Sequence, residues 1–428
     1  MLGIFKKAKN ILKKLGDGGF THLFGSSVIN KVLGFVSSFI LVRLIPKADY
    51  GVYSNADNII SMFCIFEGLG MTTTWLQFGC TKTGKEKENT WSFCFYSSIF
   101  FQVILCVVIA LTGRFVHFGI EGTGKMLIYM SFLPLFRLIS EMQRIYMRTE
   151  MMNKEYAHVN TFSAIITVLL SISFSILLLA NGLILSGYFV SIVTILFVSL
   201  KYKIKLPKPK NNLQSSEKKE LIKFSLVCTI NNSTSSLMYL LDTFILGIVI
   251  AQSTVTASYK VASKIPVALA FIPTCLMIYI YPYFAKHAND KRWCKKNFRS
   301  VIFGMGAFNF SLVAVLILFA SPIIKLIFGA QYLDAVPAFR ILCLNYAVQS
   351  TFRNIPGQLL VTQKKLGFNT LTGVVSGLLN TALNLLLIPR FSSNGAAMAT
   401  LIVSALVGLV NMIYITKVFN NIKEPKNS

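Results

Sequence analysis

Acidic side chains are scarce in this chain: 16 of its 428 residues are Asp or Glu, and charged residues of both signs make up only 14%. A soluble fold needs a charged coat, so this scarcity excludes an ordinary water-soluble domain. Histidine is rarer still. His22, His117, His158 and His287 stand far apart, which leaves no metal constellation and little material for acid–base catalysis. The eight cysteines (Cys64, Cys80, Cys94, Cys106, Cys228, Cys275, Cys294 and Cys343) include no C-x-x-C pair. Most lie in apolar runs, where cysteine packs as a small hydrophobe. Neither a zinc site nor a disulfide framework follows from them.

What the chain does have is apolar mass. Hydrophobic residues make up 54%, and the mean hydropathy is +0.62. A span needs roughly 20 apolar residues to cross about 30 Å of hydrocarbon. Candidates lie at 24–45, 52–75, 91–112, 125–147, 157–180, 183–200, 222–250, 257–284, 299–320, 334–361, 368–389 and 395–417. They predict an all-α membrane protein of about 12 transmembrane helices. The fourth and tenth carry internal charge, and Asn181-Gly182 predicts a tight hairpin between the fifth and sixth.

The net charge of +26 raises the question of nucleic acid, and the position of the charges answers it. With the N-terminus inside, cytoplasmic segments collect 31 of the 42 Lys and Arg residues, the outer side nine, and the spans two, Lys31 and Arg353. Such asymmetry is the positive-inside pattern, and it predicts an even number of spans with both termini cytoplasmic. Nucleic acid is not needed to explain the charge.

Residues 1–20 read as a basic amphipathic helix for the anionic cytoplasmic leaflet. They lack the uninterrupted apolar core and small-residue cleavage site of a signal peptide. The polar, Pro-containing segment 201–221 reads as a cytoplasmic linker between six spans in 21–200 and six in 222–418, with a tail at 419–428. Two bundles that start and end on one side can be parallel repeats. Gly51–Ile59 resembles Ala257–Ile265 at an offset of 206, and Ser186-Gly187 resembles Asn394-Gly395 at an offset of 208.

Four stretches, in order along almost the whole chain, carry a family resemblance. They are Leu41-Val-Arg-Leu-Ile-Pro-Lys-Ala-Asp-Tyr-Gly-Val-Tyr53; Leu241-Asp-Thr-Phe-Ile-Leu-Gly247 with Tyr259-Lys-Val-Ala-Ser-Lys264; Ile327-Phe-Gly-Ala-Gln-Tyr-Leu333 with Ala338-Phe-Arg-Ile-Leu342; and Asn380-x3-Asn384-Leu-Leu-Leu-Ile-Pro389 with Gly395-Ala-Ala-Met-Ala-Thr400. In these the chain resembles the polysaccharide-biosynthesis (Wzx-type) flippases of the multidrug/oligosaccharidyl-lipid/polysaccharide (MOP) exporter superfamily. The resemblance implies two six-helix bundles in a V, as in multidrug (MATE) exporters, with a central cavity and alternating access. It implies an undecaprenyl-pyrophosphate-linked glycan as substrate, for O-antigen, capsule or exopolysaccharide synthesis. Glycosyltransferases and a polysaccharide polymerase would be its partners. Peptidoglycan-precursor flippases usually have two more spans, for which this chain has no room.

Such transport requires no catalysis, only cations for a pyrophosphate and polar groups for sugars. Lys31, Lys260, Lys264 and Arg353 are the candidate cations. Lys260 and Lys264 share a face at i and i+4, ahead of the helix-bending Pro266, Pro273 and Pro282. The plain alternatives are snorkelling for Lys31, an outer anchor for the lysine pair, and an internal ion pair for Arg353. Asp242 either binds a coupling Na⁺ or H⁺ or pairs with a lysine of the eighth span. Glu67, beside Gly68 and Gly70 towards the inner end of the second span, is either a structural, interfacial cap or a coupling site, and Asp57, nearer the outer face, is open between a structural and a coupling role. Asn231–Ser236, Asn345, Gln349, Asn380 and Asn384 offer hydrogen bonds either to sugars or between helices. No other cofactor is expected. Two rivals remain: a cation-coupled multidrug antiporter of the same superfamily, which an acidic cavity would favour, and a membrane polymerase or ligase, which a large outer loop would favour. The outer loops are short, so no enzyme is expected.

Overall fold

A computed structural model describes residues 20–204, 206–209, 213–363 and 365–422, and among them there is helix almost throughout and no strand. The predicted amphipathic segment up to residue 19, and the tail from 423, lie outside the described residues. The all-α expectation holds. In hydrocarbon no water pairs with backbone amides, so a spanning segment satisfies them within its own helix. Among the described residues six stretches are long and apolar enough to cross a bilayer: Lys47–Gly79, Gly84–Phe115, Asn153–Lys201, Ser253–Thr274, Lys291–Leu318 and Gly367–Asn420.

The helices cluster into two units. The first holds the chain up to Asp49, Ile59–His117 and Gly122–Ser233; the second holds Tyr50–Asn58, Phe118–Glu121 and the chain from Thr234 on. In order, the first half of the chain forms α1 (Phe20–Leu44), α2 (Lys47–Phe63), a tight 3-10 segment (Cys64–Gly70), α3 (Met71–Gly79), α4 (Gly84–Phe115), α5 (Thr123–Met130), α6 (Leu133–Thr149) and α7 (Asn153–Lys201). In the first unit α1 and α6 pack on α7, while α3, α4 and α6 meet around a core. That core is Met71, Trp75, Trp91, Cys94, Phe95, Leu138, Met142 and Ile145, with the Trp75 and Trp91 rings 5.0 Å apart.

The second half forms α8 (Ser215–Val249), α9 (Ser253–Leu269), α10 (Phe271–Lys286), α11 (Lys291–Leu318), α12 (Ala320–Phe328), a 3-10 turn (Ala330–Ala335), α13 (Val336–Val348), a π-helical turn (Gln349–Asn354), α14 (Ile355–Thr362) and α15 (Leu366–Asn420). In the second unit α13 is central, packing on α9, α11 and α15. One core joins α10, α11, α14 and α15 through Phe284, Phe298, Leu359 and Phe419. Outward, large apolar side chains such as Leu177, Leu200, Phe303 and Leu378 stay exposed, a surface suited to lipid tails.

The two longest helices are hairpins. At about 1.5 Å per residue, the 49 residues of α7 would run about 74 Å if straight, more than twice a hydrocarbon core. Instead α7 breaks at Leu179 (φ 51°, ψ −127°) and α15 at Ser392 (φ 52°, ψ −132°). Ser171 and Ser186 then meet at 3.1 Å, and the Phe162 and Phe197 rings stack at 3.9 Å. Asn380 reaches Thr400 at 3.4 Å in the other hairpin. Gly182 and Gly395 sit where a Cβ would strike the carbonyls of Phe174 and Leu387. The turns read Leu179-Ala-Asn-Gly182 and Ser392-Ser-Asn-Gly395, so Asn394-Gly395 has its counterpart in Asn181-Gly182, not in Ser186-Gly187. The other repeat match fares better, since α2 and α9 begin at Lys47 and Ser253, which keeps the offset of 206.

Part of the linker is tied to the first unit. The Pro207 and Lys208 carbonyls accept from Tyr96 (2.9 Å) and Ser92 (2.8 Å). Lys82 bridges Glu86 (2.8 Å) and Glu217 (3.4 Å), and Lys87 pairs with Glu150 at 2.7 Å. The Gln214 amide donates to Glu217, holding that carboxyl below the usual range, with Lys82 adding to the effect. Burial works to lower the Lys82 pKa, but Glu86 and Glu217 outweigh it and hold it above the ordinary lysine value.

Candidate functional site

Asp242 is the most enclosed charge of the described chain. It lies on α8 at 6% exposure. A lone carboxylate at the centre of a bilayer costs about 2.5–3.5 kcal/mol on insertion scales, so its partners decide its role. They come from α9 and from the two arms of α15. Asn384 Nδ2 donates to Oδ1 at 2.7 Å, Tyr259 OH donates to Oδ2 at 3.1 Å, and Thr400 Oγ1 also donates to Oδ2. Asn384 and Asn380, one turn apart on α15, are bonded at 2.9 Å. The α15 hairpin brings Asn380, Asn384 and Thr400 to one place by folding its two arms together.

These groups form a shell of oxygen-bearing side chains around one carboxylate, and Asn384 Oδ1 is buried without a hydrogen bond. Among the described residues no cluster of three His, Cys, Asp or Glu exists. One carboxylate with amide and hydroxyl oxygens suits a proton or a small hard cation. Among the described residues no lysine of the eighth span, the alternative partner, is bonded to Asp242. Lys260 Nζ instead donates to Asn58 Oδ1 at 3.2 Å and faces Asp57 and Lys264. Asn58 in turn donates to the Leu240 carbonyl at 3.0 Å. Lys264 sits 5.6 Å above the Tyr50 ring. Asp57, Lys260 and Lys264 therefore form one group, separate from Asp242. Close approach of α2 to α9 makes it possible: at Gly51 a Cβ would overlap the Ser253 carbonyl.

Arg353 lies in the π-helical turn, a distortion that recurs at functional positions. Its Nη2 donates to Ser376 Oγ at 3.2 Å, and its carbonyl accepts from Asn411 at 3.2 Å. Beneath it Tyr346 donates to Asn309 and Asn309 to Thr351, both at 3.1 Å. Asn345 donates to Gln349 at 3.4 Å. Asn309 thus links two helices, whereas Asn345 and Gln349 lie one turn apart on the same helical stretch. The side chains of Asn231–Ser236 lie outside the described residues.

In the first unit Lys31 is exposed on α1. Glu67 stands further from the inner end than expected, at a break inside the stretch Lys47–Gly79, with Gly68, Leu69 and Gly70 following at positive φ. The charges that face it, Arg137, Glu141 and Arg144, all come from α6. The count that left only Lys31 and Arg353 within spans placed both arginines on the cytoplasmic side. The signal against that was their i, i+4, i+7 spacing inside the fourth span.

A family model described as "Polysaccharide biosynthesis protein" matches residues 40–337. The chain belongs to this family. A relative from Klebsiella pneumoniae, described as an uncharacterized membrane protein in cps region, is 24% identical over 361 residues, which is 80% of this chain and 70% of the relative. Among solved structures, the lipid II flippase MurJ in an inward closed conformation superposes with a TM-score of 0.70 at 16% identity, covering 94% of this chain and 89% of that one. An inward-facing multidrug resistance MATE transporter of the MOP superfamily gives 0.67 at 13% identity, with 93% and 96% covered. The polysaccharide biosynthesis protein thus has the fold of MOP-superfamily transporters.

Proposed function

We propose that the protein flips polyprenyl-pyrophosphate-linked oligosaccharide repeat units across the cytoplasmic membrane by alternating access. One observation carries the reading: a chain of a polysaccharide biosynthesis family has a fold shared with a lipid II flippase. Twelve passes, six in each bundle with both termini cytoplasmic, accord with the charge asymmetry and with the two helical hairpins. The pyrophosphate dwells on Lys31, Lys260, Lys264 and Arg353, and the prenyl tail stays in lipid. Asp242, with Asn384, Tyr259 and Thr400, holds a coupling Na⁺ or H⁺, a role supported by the oxygen-rich shell and the unbonded Asn384 Oδ1. Glycosyltransferases make the substrate on the inner leaflet and a polymerase consumes it outside. The protein itself is no enzyme.

Likeness to a multidrug transporter favours one second reading, a cation-coupled drug antiporter. Depletion of the protein in its native cell, beside a polymerase-deficient control, separates the two. Mass spectrometry of lipid extracts with leaflet-selective labelling is the measurement. A polyprenyl-pyrophosphate oligosaccharide accumulating on the cytoplasmic leaflet is the expected result, and it identifies the glycan. No accumulation together with new sensitivity to cationic drugs would establish the antiporter.

A further inference from the structure

The charged face of α6 is left unused by the site proposed above. One side of this helix is buried through Leu138, Met142 and Ile145. Another carries Arg137, Glu141 and Arg144 at i, i+4 and i+7, a single stripe on a helix of 3.6 residues per turn. Facing the stripe is the broken segment that carries Glu67. Glu67 precedes the end of α3 at Gly79, and Arg137 the end of α6 at Thr149, by the same twelve residues. Arg137 therefore stands about 18 Å along α6 from that end.

The break is built rather than accidental. Glu67 leaves the helix at ψ 125°, and Gly68, Leu69 and Gly70 follow in the left-handed region. The freed Gly68 amide donates to Gln102 Oε1 at 2.9 Å, and at Gly70 a Cβ would crowd the Ser225 carbonyl. The segment is held open by protein partners, as non-helical backbone inside a spanning stretch must be.

The arginines are only partly engaged. Arg144 donates from Nη2 to Glu141 at 2.8 Å, while its Nε is buried without a hydrogen bond. Arg137 is exposed and forms no salt bridge among the described residues. A guanidinium fork used on one prong retains donors for a bidentate oxyanion. Two of them one helical stripe apart match the spread-out oxygens of a phosphate or diphosphate ester better than a single carboxylate does.

We propose that Arg137 and Arg144 form a binding site for a phosphate or diphosphate ester, with Glu141 bonded to Arg144 in its absence. Glu141 and the ligand compete for the Arg144 guanidinium, and the charge of Glu67, which faces the same stripe, opposes an anion beside either arginine. The inference rests on the flippase reading, and it adds to that reading a first-unit subsite for the head of the lipid. The same chemistry would also take the headgroup of an anionic phospholipid.

The test uses the full chain in nanodiscs of phosphatidylcholine, with farnesyl diphosphate as the probe and tryptophan fluorescence or thermophoresis as the readout. The Arg137→Gln/Arg144→Gln double variant is expected to bind at least tenfold more weakly than wild type. Glu67→Gln/Glu141→Gln removes the competing charges and is expected to bind several-fold more tightly, a gain that misfolding does not produce. Lys291→Gln, on α11, is the unchanged control. If phosphatidylglycerol doped into the nanodiscs displaces the probe at a few mole per cent, the phosphate site stands and its occupant is a phospholipid headgroup. Equal affinity in all four proteins, or no binding by wild type, overturns the site. The flippase reading is decided separately, by lipid accumulation on depletion.

Discussion

Asp242 shows how a single residue acquires meaning from its neighbours. A carboxylate accepting three hydrogen bonds, with no cation bonded to it among the described residues, is either a structural hub or an ion site. The two roles predict different behaviour. Asp242→Ala orphans the donors of Tyr259, Asn384 and Thr400, at about 1–3 kcal/mol for each that finds no new partner. Asp242→Asn keeps the shape and removes the charge. If the site holds a coupling cation, wild type is stabilised against heat by that cation, by about 2.7 kcal/mol at a hundredfold excess over Kd. The Asp242→Asn variant is expected to lose this dependence, and an equal cation response in both would end the ion-site reading. The candidate cations make a second prediction. Replacing Lys31, Lys260, Lys264 and Arg353 together by Ala should abolish export while the protein still inserts. Full export by that variant would remove them from the substrate path.

At the scale of elements, the two hairpins are the most demanding pieces of backbone. Leu179 and Ser392 occupy the positive-φ corner of a tight turn, where glycine is the favoured residue. Strain of this kind is worth on the order of 1 kcal/mol or more at each site. Leu179→Gly and Ser392→Gly should each raise the unfolding temperature, whereas Gly182→Ala and Gly395→Ala should lower it by forcing a Cβ onto a carbonyl. A scanning thermal-unfolding series reads both signs. The linker clamp adds a pH effect. Glu217 has a lowered pKa in the folded chain, so its contribution is complete above the ordinary carboxylate range and fades as pH falls through the lowered value. Lys82 has a raised pKa, so its contribution is complete below the ordinary lysine range and fades as pH rises through the raised value. The protection of the amides at 213–217, measured against the intrinsic exchange rate at each pH, should therefore be greatest near neutrality and fall towards acid. A flat profile across the acid range would show that the bridge does not hold the linker.

For the whole molecule the central expectation is topological. Reporter fusions joined within 206–209 should report the cytoplasm, and fusions within 118–121 the opposite side. A cytoplasmic signal from both would break the even-numbered arrangement on which the two-bundle reading rests. Much of the fold was legible beforehand. The spans expected at 157–180 and 183–200 flank the break at Leu179, and those at 368–389 and 395–417 flank the break at Ser392. The tenth span was read as continuous, and the structure inserts a π-helical turn at Gln349–Asn354 that hydropathy does not reveal. The fourth was read with its arginines at the cytoplasmic end, because counting Lys and Arg by loop assumes that charge marks a boundary.

What the sequence determined by itself is what depends on near neighbours: apolar runs of bilayer length, Asn-Gly turns, and an excess of lysine and arginine on one side. Partition into lipid and helix formation are local or additive, so they are written along the chain. What only the tertiary structure decided is which polar groups face one another. Asp242 meets Asn384 and Thr400 across 142 and 158 residues, Lys260 turns to Asn58 rather than to Asp242, and Glu67 is opposed by the arginines of α6. A charge inside a bilayer is tolerable only through its partners, and those partners lie on other helices, at separations that no local pattern records.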